Sequence, residues 1–300
     1  MISPRPIARA SLAAAAALTL AGLAAPAHAG FGEKDVARTV SFGGHCARCE
    51  FSGRKLIGAS FMGANYEAAT LIGADLRGAE MMGSNFTRSD FTRADLRGAE
   101  MLGSIFSGAV FVSARMEGVE AQGSIFTGAD MTAANLSGGT LHAAHFSGAK
   151  MLRANFSDAE LAGANFTRAD GRNANFSEAS LQLAILAGGS FQNASFRQAD
   201  MDGVRLKGGS FQGANFAGAS LRHADLRWTD LSSARGLTQA QVNAACSDGT
   251  TRLPGGLKPH ECSPRVLIAR RAVPPAPPVA PPAPPAPPRA PKYVVAPGGR

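Results

Sequence analysis

Most enzymes draw their sites from residue types that are scarce in this chain. It has one Trp, two Tyr, six His and four Cys in 300 residues, and only 17% of it is charged. The His are spread along the chain at positions 28, 45, 142, 145, 223 and 260. His142 and His145 fall close together, but no third ligand or carboxylate is evident at their level, so a solvated pair is expected rather than a metal site. No Gly-rich loop joins a strand-like run to a helix-like run, which removes the usual phosphate cradle. The one long apolar run, residues 10–25, is too short for a comfortable membrane span. No nucleophile, base and orienting acid come together in any motif. The chain therefore reads as a non-enzyme with no cofactor and no metal.

Net charge is absent from the middle of the chain. The formal net charge is +8, yet residues 51–235 carry 17 Lys and Arg against 17 Asp and Glu. The excess sits at Arg5 and Arg9 and in residues 236–300, where eight basic residues face two acidic ones. A basic tail favours anionic surfaces weakly and without specificity. It is not a groove-reading element, so specific nucleic-acid binding is not expected.

What the chain has in abundance is a period. Every fifth residue from 51 to 231 is large and apolar, which makes 37 central positions: fifteen Phe, thirteen Leu and six Met, with Tyr66, Ala121 and Gly171 as the exceptions. Two residues before the centres stands a small residue, Ala at 25 of the 37, with Arg54 as the exception. Five is neither the helical nor the strand period. A fixed repeat without insertions over this length signals a solenoid, whose core grows by stacking.

The quintets Ala74-Asp75-Leu76-Arg77-Gly78, Ala94-Asp95-Leu96-Arg97-Gly98 and Ala164-Asn165-Phe166-Thr167-Arg168 resemble the repeat unit of the pentapeptide-repeat family. That resemblance implies an all-β fold, a right-handed quadrilateral β-helix with four quintets per coil and about nine coils. The sequence supports four sides on its own: the run from Gly73 to Met81 recurs twenty residues later from Arg93 to Met101, with Arg for the first Gly. Sorting the centres by twenty puts Phe86, Phe106, Phe126, Phe146 and Phe166 in one column and Leu76, Leu96, Met116 and Leu136 in the opposite one. The two columns exchange large for small near Phe156 and Phe166. Facing side chains that share a close-packed interior should compensate in volume in this way. Gly171 leaves one centre empty, and a local void is expected there, which Gly171→Leu would fill.

The flanks differ in character. Residues 1–29 resemble a secretory signal peptide, with Arg5 and Arg9, an apolar middle and Ala27-His28-Ala29 as a cleavage site. The expected location is periplasmic or secreted. Residues 30–50 are expected to cap the first coil and carry His45-Cys46-Ala47-Arg48-Cys49. Cys46 falls at a centre and Cys49 at a small inward position. In an exported protein a disulfide closing this end is the expectation. Two reduced core cysteines are the alternative. A redox pair would need an activated thiolate, usually at a helix start, and zinc lacks a fourth ligand. Residues 236–264 are expected to form a helix and loop cap. Thr238 and Gln241 fit a capping box, Leu237 and Val242 a hydrophobic staple, and Gly249 a helix stop. Cys246 and Cys262 are expected to pair, since cysteines at opposite ends of a rod cannot meet unless the C-terminal segment folds back. The family resemblance implies similar Cys-bearing flanks in other exported members. Residues 265–300 are basic and rich in Pro and Ala, a composition that favours an extended spacer or a docking segment over a packed core.

One side carries a surface pattern. Ahead of the centres Met81, Met101 and Ala121 stand Glu80, Glu100 and Glu120, and Met62, Met82 and Leu102 follow their own centres on the same side. This is the candidate partner surface, for a basic protein or a cation. The function expected is an exported structural or protein-interaction scaffold of unnamed partner, with homodimerisation left open. Some pentapeptide-repeat proteins mimic DNA with an acidic surface and bind gyrase. A neutral solenoid and a leader sequence disfavour that alternative here.

Overall fold

Twenty residues make one coil, and each coil has four sides. The computed structural model describes residues 44–261. Parallel bridges join each residue ahead of a centre to the one twenty positions on, from His45 with Asn65 to Asn215 with Arg235. The result is a right-handed quadrilateral β-helix. Winding is already under way at His45, so Cys46 and Cys49 belong to the first coil.

The corner chemistry explains the period of five. In each quintet the centre, the two residues after it and the next small residue form a turn. The Ala59 N–H donates to the Leu56 carbonyl at 3.1 Å, and the Ala74 N–H to the Leu71 carbonyl at the same distance. Within these corners only the second residue past the centre has a positive φ, as at Gly78 (61°), which is the type II pattern. Gly meets that demand without steric cost, yet Arg93 (58°) and Leu183 (60°) adopt it too. The remaining backbone groups pair between coils: the Leu56 N–H donates to the Asp75 carbonyl at 2.7 Å, and the Asp75 N–H to the Arg54 carbonyl at 2.9 Å. Each side thus contributes a very short rung rather than a strand, so no strand-like alternation is visible in the sequence.

Centres and small residues fill the interior. Phe86, Phe106, Phe126, Phe146 and Phe166 stack nearly parallel, with centroids 5.5, 5.2, 5.1 and 4.8 Å apart in turn. Where the columns exchange, Phe156 meets Phe166 edge to face at 6.1 Å. Offset and edge contacts of this kind add to the burial of apolar area. Ser84, Ser104 and Ser124 replace the small Ala and are fully buried. Their hydroxyls donate to the carbonyls of Phe61, Met81 and Met101, which satisfies them inside the core.

Gly171 does not leave a void. A Cβ built there would lie 2.5 Å from two ring carbons of Phe191, and one on Gly189 would lie 2.6 Å from the same ring. The Phe191 ring leans into the space the missing side chain vacates, so the volume is conserved by a neighbour one coil on.

The C-terminal cap is built on a short helix, α1 (Gln239–Ala244), with the expected capping box between Thr238 and Gln241. Gln241 also closes the last coil, because its Nε2 donates to the carbonyls of Phe216 (2.9 Å) and Ala219 (2.8 Å). Val242 is buried, and Leu237 packs against the core. The helix stops well before Gly249. The chain turns extended at Ala245 and resumes the ladder, with Cys246 bridging Asp225 and Arg252 bridging Asp230. Pairing with the coil below competes with helix extension and wins. Residues 1–43 and 262–300, where the sequence leads one to expect a leader, most of an N-terminal cap, the end of the C-terminal cap and a tail, lie outside the described residues.

Candidate partner surface

Outward Asp and Asn side chains accept from the backbone N–H two residues on, as Asn85 does from Thr87 at 3.0 Å and Asp90 from Thr92 at 2.8 Å, and outward side chains also pair with one another along the rod. Two registers dominate. In the first, an Asp ahead of a centre meets an Arg two residues later: Asp75 with Arg77, Asp95 with Arg97, Asp170 with Arg172 and Asp225 with Arg227, each at 2.7 Å. The Arg77 guanidinium holds the Asp75 carboxyl below the ordinary Asp value of 3.8, and Arg97 and Arg172 do the same to Asp95 and Asp170. The Asp-x-Arg spacing is visible in the sequence. In the second register the residue after a centre reaches the residue ahead of the next coil's centre, eighteen positions on. Gln182 donates to Asp200 at 2.6 Å, Gln212 donates to Asp230 at 2.9 Å, and His142 Nε2 lies 2.9 Å from Glu160 Oε2. The His142 contact corrects the expectation that no carboxylate shares its level. Only knowledge of which way the side chains turn at a corner reveals a spacing of eighteen.

The predicted face follows the same geometry with other residues. Glu80 bridges Glu100, and Glu100 bridges Glu120, so the three carboxylate-bearing positions are stacked in register. Eighteen positions before them stand Met62, Met82 and Leu102, where polar partners stand farther along the rod. Among the described residues the three carboxylates have no hydrogen-bond or ion-pair partner. Met62 is 43% exposed, whereas Met82 and Leu102 are half-buried by the coils on either side. The apolar row is therefore narrower than the sequence pattern implies. Beside it, the Oε1 of Gln122 is buried without a partner.

The cysteines sit at the two ends. Cys46 and Cys49 form a disulfide with Cα atoms 5.6 Å apart, half-buried at the N-terminal end. Cys246 is also disulfide-bonded, and its expected partner Cys262 lies outside the described residues.

No curated protein matches the chain. Solved structures that resemble it include HetL, a pentapeptide repeat protein involved in heterocyst differentiation regulation from the cyanobacterium Nostoc, at 24% identity over 73% of this chain and 96% of that one, with a TM-score of 0.35. QnrB1, a plasmid-mediated fluoroquinolone resistance protein, matches at 19% identity over 69% and 90%, also with a TM-score of 0.35. A pentapeptide repeat protein from the Arabidopsis thaliana thylakoid lumen matches at 23% identity over 46% and 71%, with a TM-score of 0.20. The family model for pentapeptide repeats matches eight copies that tile residues 45–235. With those copies covering the same stretch that winds as four-quintet coils, the chain belongs to the pentapeptide-repeat family.

Proposed function

We propose that this repeat scaffold is a non-enzymatic protein of the periplasm or the extracellular space, and that it engages a basic protein partner through the side bearing Glu80, Glu100 and Glu120. One observation carries the reading. On this side three carboxylates stand in register and unpaired, while Glu160 and Asp200 farther along are hydrogen-bonded within the rod. Like charges in register repel, and a cationic partner removes that repulsion. Met62, Met82 and Leu102 add polarizable apolar contact beside the charge. The location rests on residues 1–29 alone. Cell fractionation with N-terminal sequencing tests it, and a mature chain beginning at Gly30 is the expected result.

The partner reading is tested by crosslinking the mature protein and its Glu80→Lys, Glu100→Lys, Glu120→Lys variant. The variant should keep its melting temperature within a few degrees and lose the crosslinked partner. An unchanged set of partners would overturn the assignment of this face. Asp–Arg pairing along the rod weighs against the DNA-mimic, gyrase-binding alternative, which calls for a surface of one sign.

A further inference from the structure

A concave surface of about 560 Å³ opens where the coils meet the C-terminal cap, beside the chain's single Trp. Its lining includes Gly208, Gly209, Trp228, Asp230, Thr250 and Arg252. Trp228 occupies a corner with φ +60°, and 62% of its surface is exposed. The corner residue one coil earlier is Gly208, so no side chain shields the indole from that side. The backbone N–H of Trp228 donates to Thr250 Oγ1 at 3.0 Å, which ties the corner to the cap.

The groove carries two side-chain donors that can face a ligand, the Trp228 indole and the Arg252 guanidinium, beside hydroxyls and the Asp230 carboxylate. Arg252 is anchored through its backbone, whose N–H donates to the Thr229 carbonyl at 3.0 Å; its guanidinium lies 3.7 Å from the Asp230 carboxylate, and with the side chain 76% exposed its other N–H groups face outward. The Asp230 carboxylate is already occupied: it accepts from the Ser232 N–H at 3.0 Å and from Gln212 Nε2 at 2.9 Å. An indole face with an indole N–H and a guanidinium beside it suits a ligand made of apolar rings and carbonyl acceptors. A Pro-rich segment is such a ligand. Pro brings no N–H, and its carbonyls need donors in an extended conformation without internal hydrogen bonds.

The chain carries a segment of this kind in residues 274–291, nearly all Pro and Ala. It also delivers that segment to the right end of the rod. The described chain ends at Glu261, which bridges Ser247 in the cap. The residue before Ser247, Cys246, bridges Asp225, three positions ahead of Trp228. From Glu261 to Pro274 is 13 residues (274 − 261), a reach of roughly 40 Å at about 3.1 Å per residue. A tether this short keeps the segment near the groove at an effective concentration of about millimolar order.

We propose that residues 274–291 dock in the Trp228 groove of the same chain. The tail then closes on the C-terminal end of the rod, and a stronger Pro-binding or groove-binding partner must displace it.

Because Trp228 is the only Trp, its fluorescence reports the groove directly. Acrylamide quenching is measured on the full-length chain and on a full-length variant with every Pro of 274–288 replaced by Ser. Far-UV circular dichroism and the melting temperature confirm that both are folded. The native chain should be quenched at least twofold less than the variant, with emission at shorter wavelength and no dependence on protein concentration. A synthetic peptide of residues 274–291 should restore protection to the variant. Equal quenching of the two chains would overturn the proposal. So would protection that grows with protein concentration, which would place the tail in the groove of a second copy. Arg252→Ala provides an independent check: it should raise quenching in the native chain and leave the variant unchanged.

Discussion

Gly171 shows how a single position can be misread from a repeat. The pattern puts a missing side chain at a centre, and a missing side chain in a close-packed core implies a cavity. The Phe191 ring occupies that space instead, held between Gly171 and Gly189. Gly171→Leu should therefore overpack the core and destabilise the protein by about 1–3 kcal/mol. The melting temperature read by differential scanning calorimetry checks this, and a rise would mean that the Phe191 ring yields. The buried Ser84, Ser104 and Ser124 make the complementary point. Hydroxyls at inward positions look like errors in a sequence, but each finds a carbonyl of the preceding coil.

At the scale of the element, local signals were legible and competing long-range ones were not. The capping box at Thr238 and Gln241 could be read directly, because it depends on residues three apart. The early end of α1 could not, because it depends on Cys246 and Arg252 finding the coil below. The Asp–Arg pairs are local in the same sense and have a measurable consequence. The folded-state values of Asp75, Asp95 and Asp170 lie below the ordinary 3.8 because their Arg partners favour the ionised form. Their contribution to stability is thus fully present above the unfolded-state value and is lost as the pH falls through the folded-state values. Melting temperature should hold steady down to about pH 4 and drop below it. Replacing all three Asp by Asn should shallow that acid limb, and an unchanged limb would show that other carboxylates carry it. Each pair is exposed on the Arg side, so the effect on stability at neutral pH should be small.

For the whole molecule the governing fact is that each coil touches only its neighbours. Stability is then spread along the rod rather than concentrated in one centre. Phe126, between Phe106 and Phe146, is buried midway along the longest Phe stack. Phe126→Ala should cost about 3–5 kcal/mol and weaken coupling between the two halves. Hydrogen exchange should then show protection lost first around residues 106–146, while the coils near Phe211 keep theirs. Uniform loss along the chain would mean that the rod melts as one unit. The winding and the four-sided cross-section were determined by sequence alone, because a bulky residue at every fifth position and a small one two before it can be buried together only in stacked square coils. Gly171, the partners eighteen residues apart and the Trp228 groove were decided by the tertiary structure. They depend on where a ring tilts, which way a side chain turns at a corner and how the cap lies on the last coil. Those are directions in space, set by neighbours twenty residues away, and a linear pattern does not carry them.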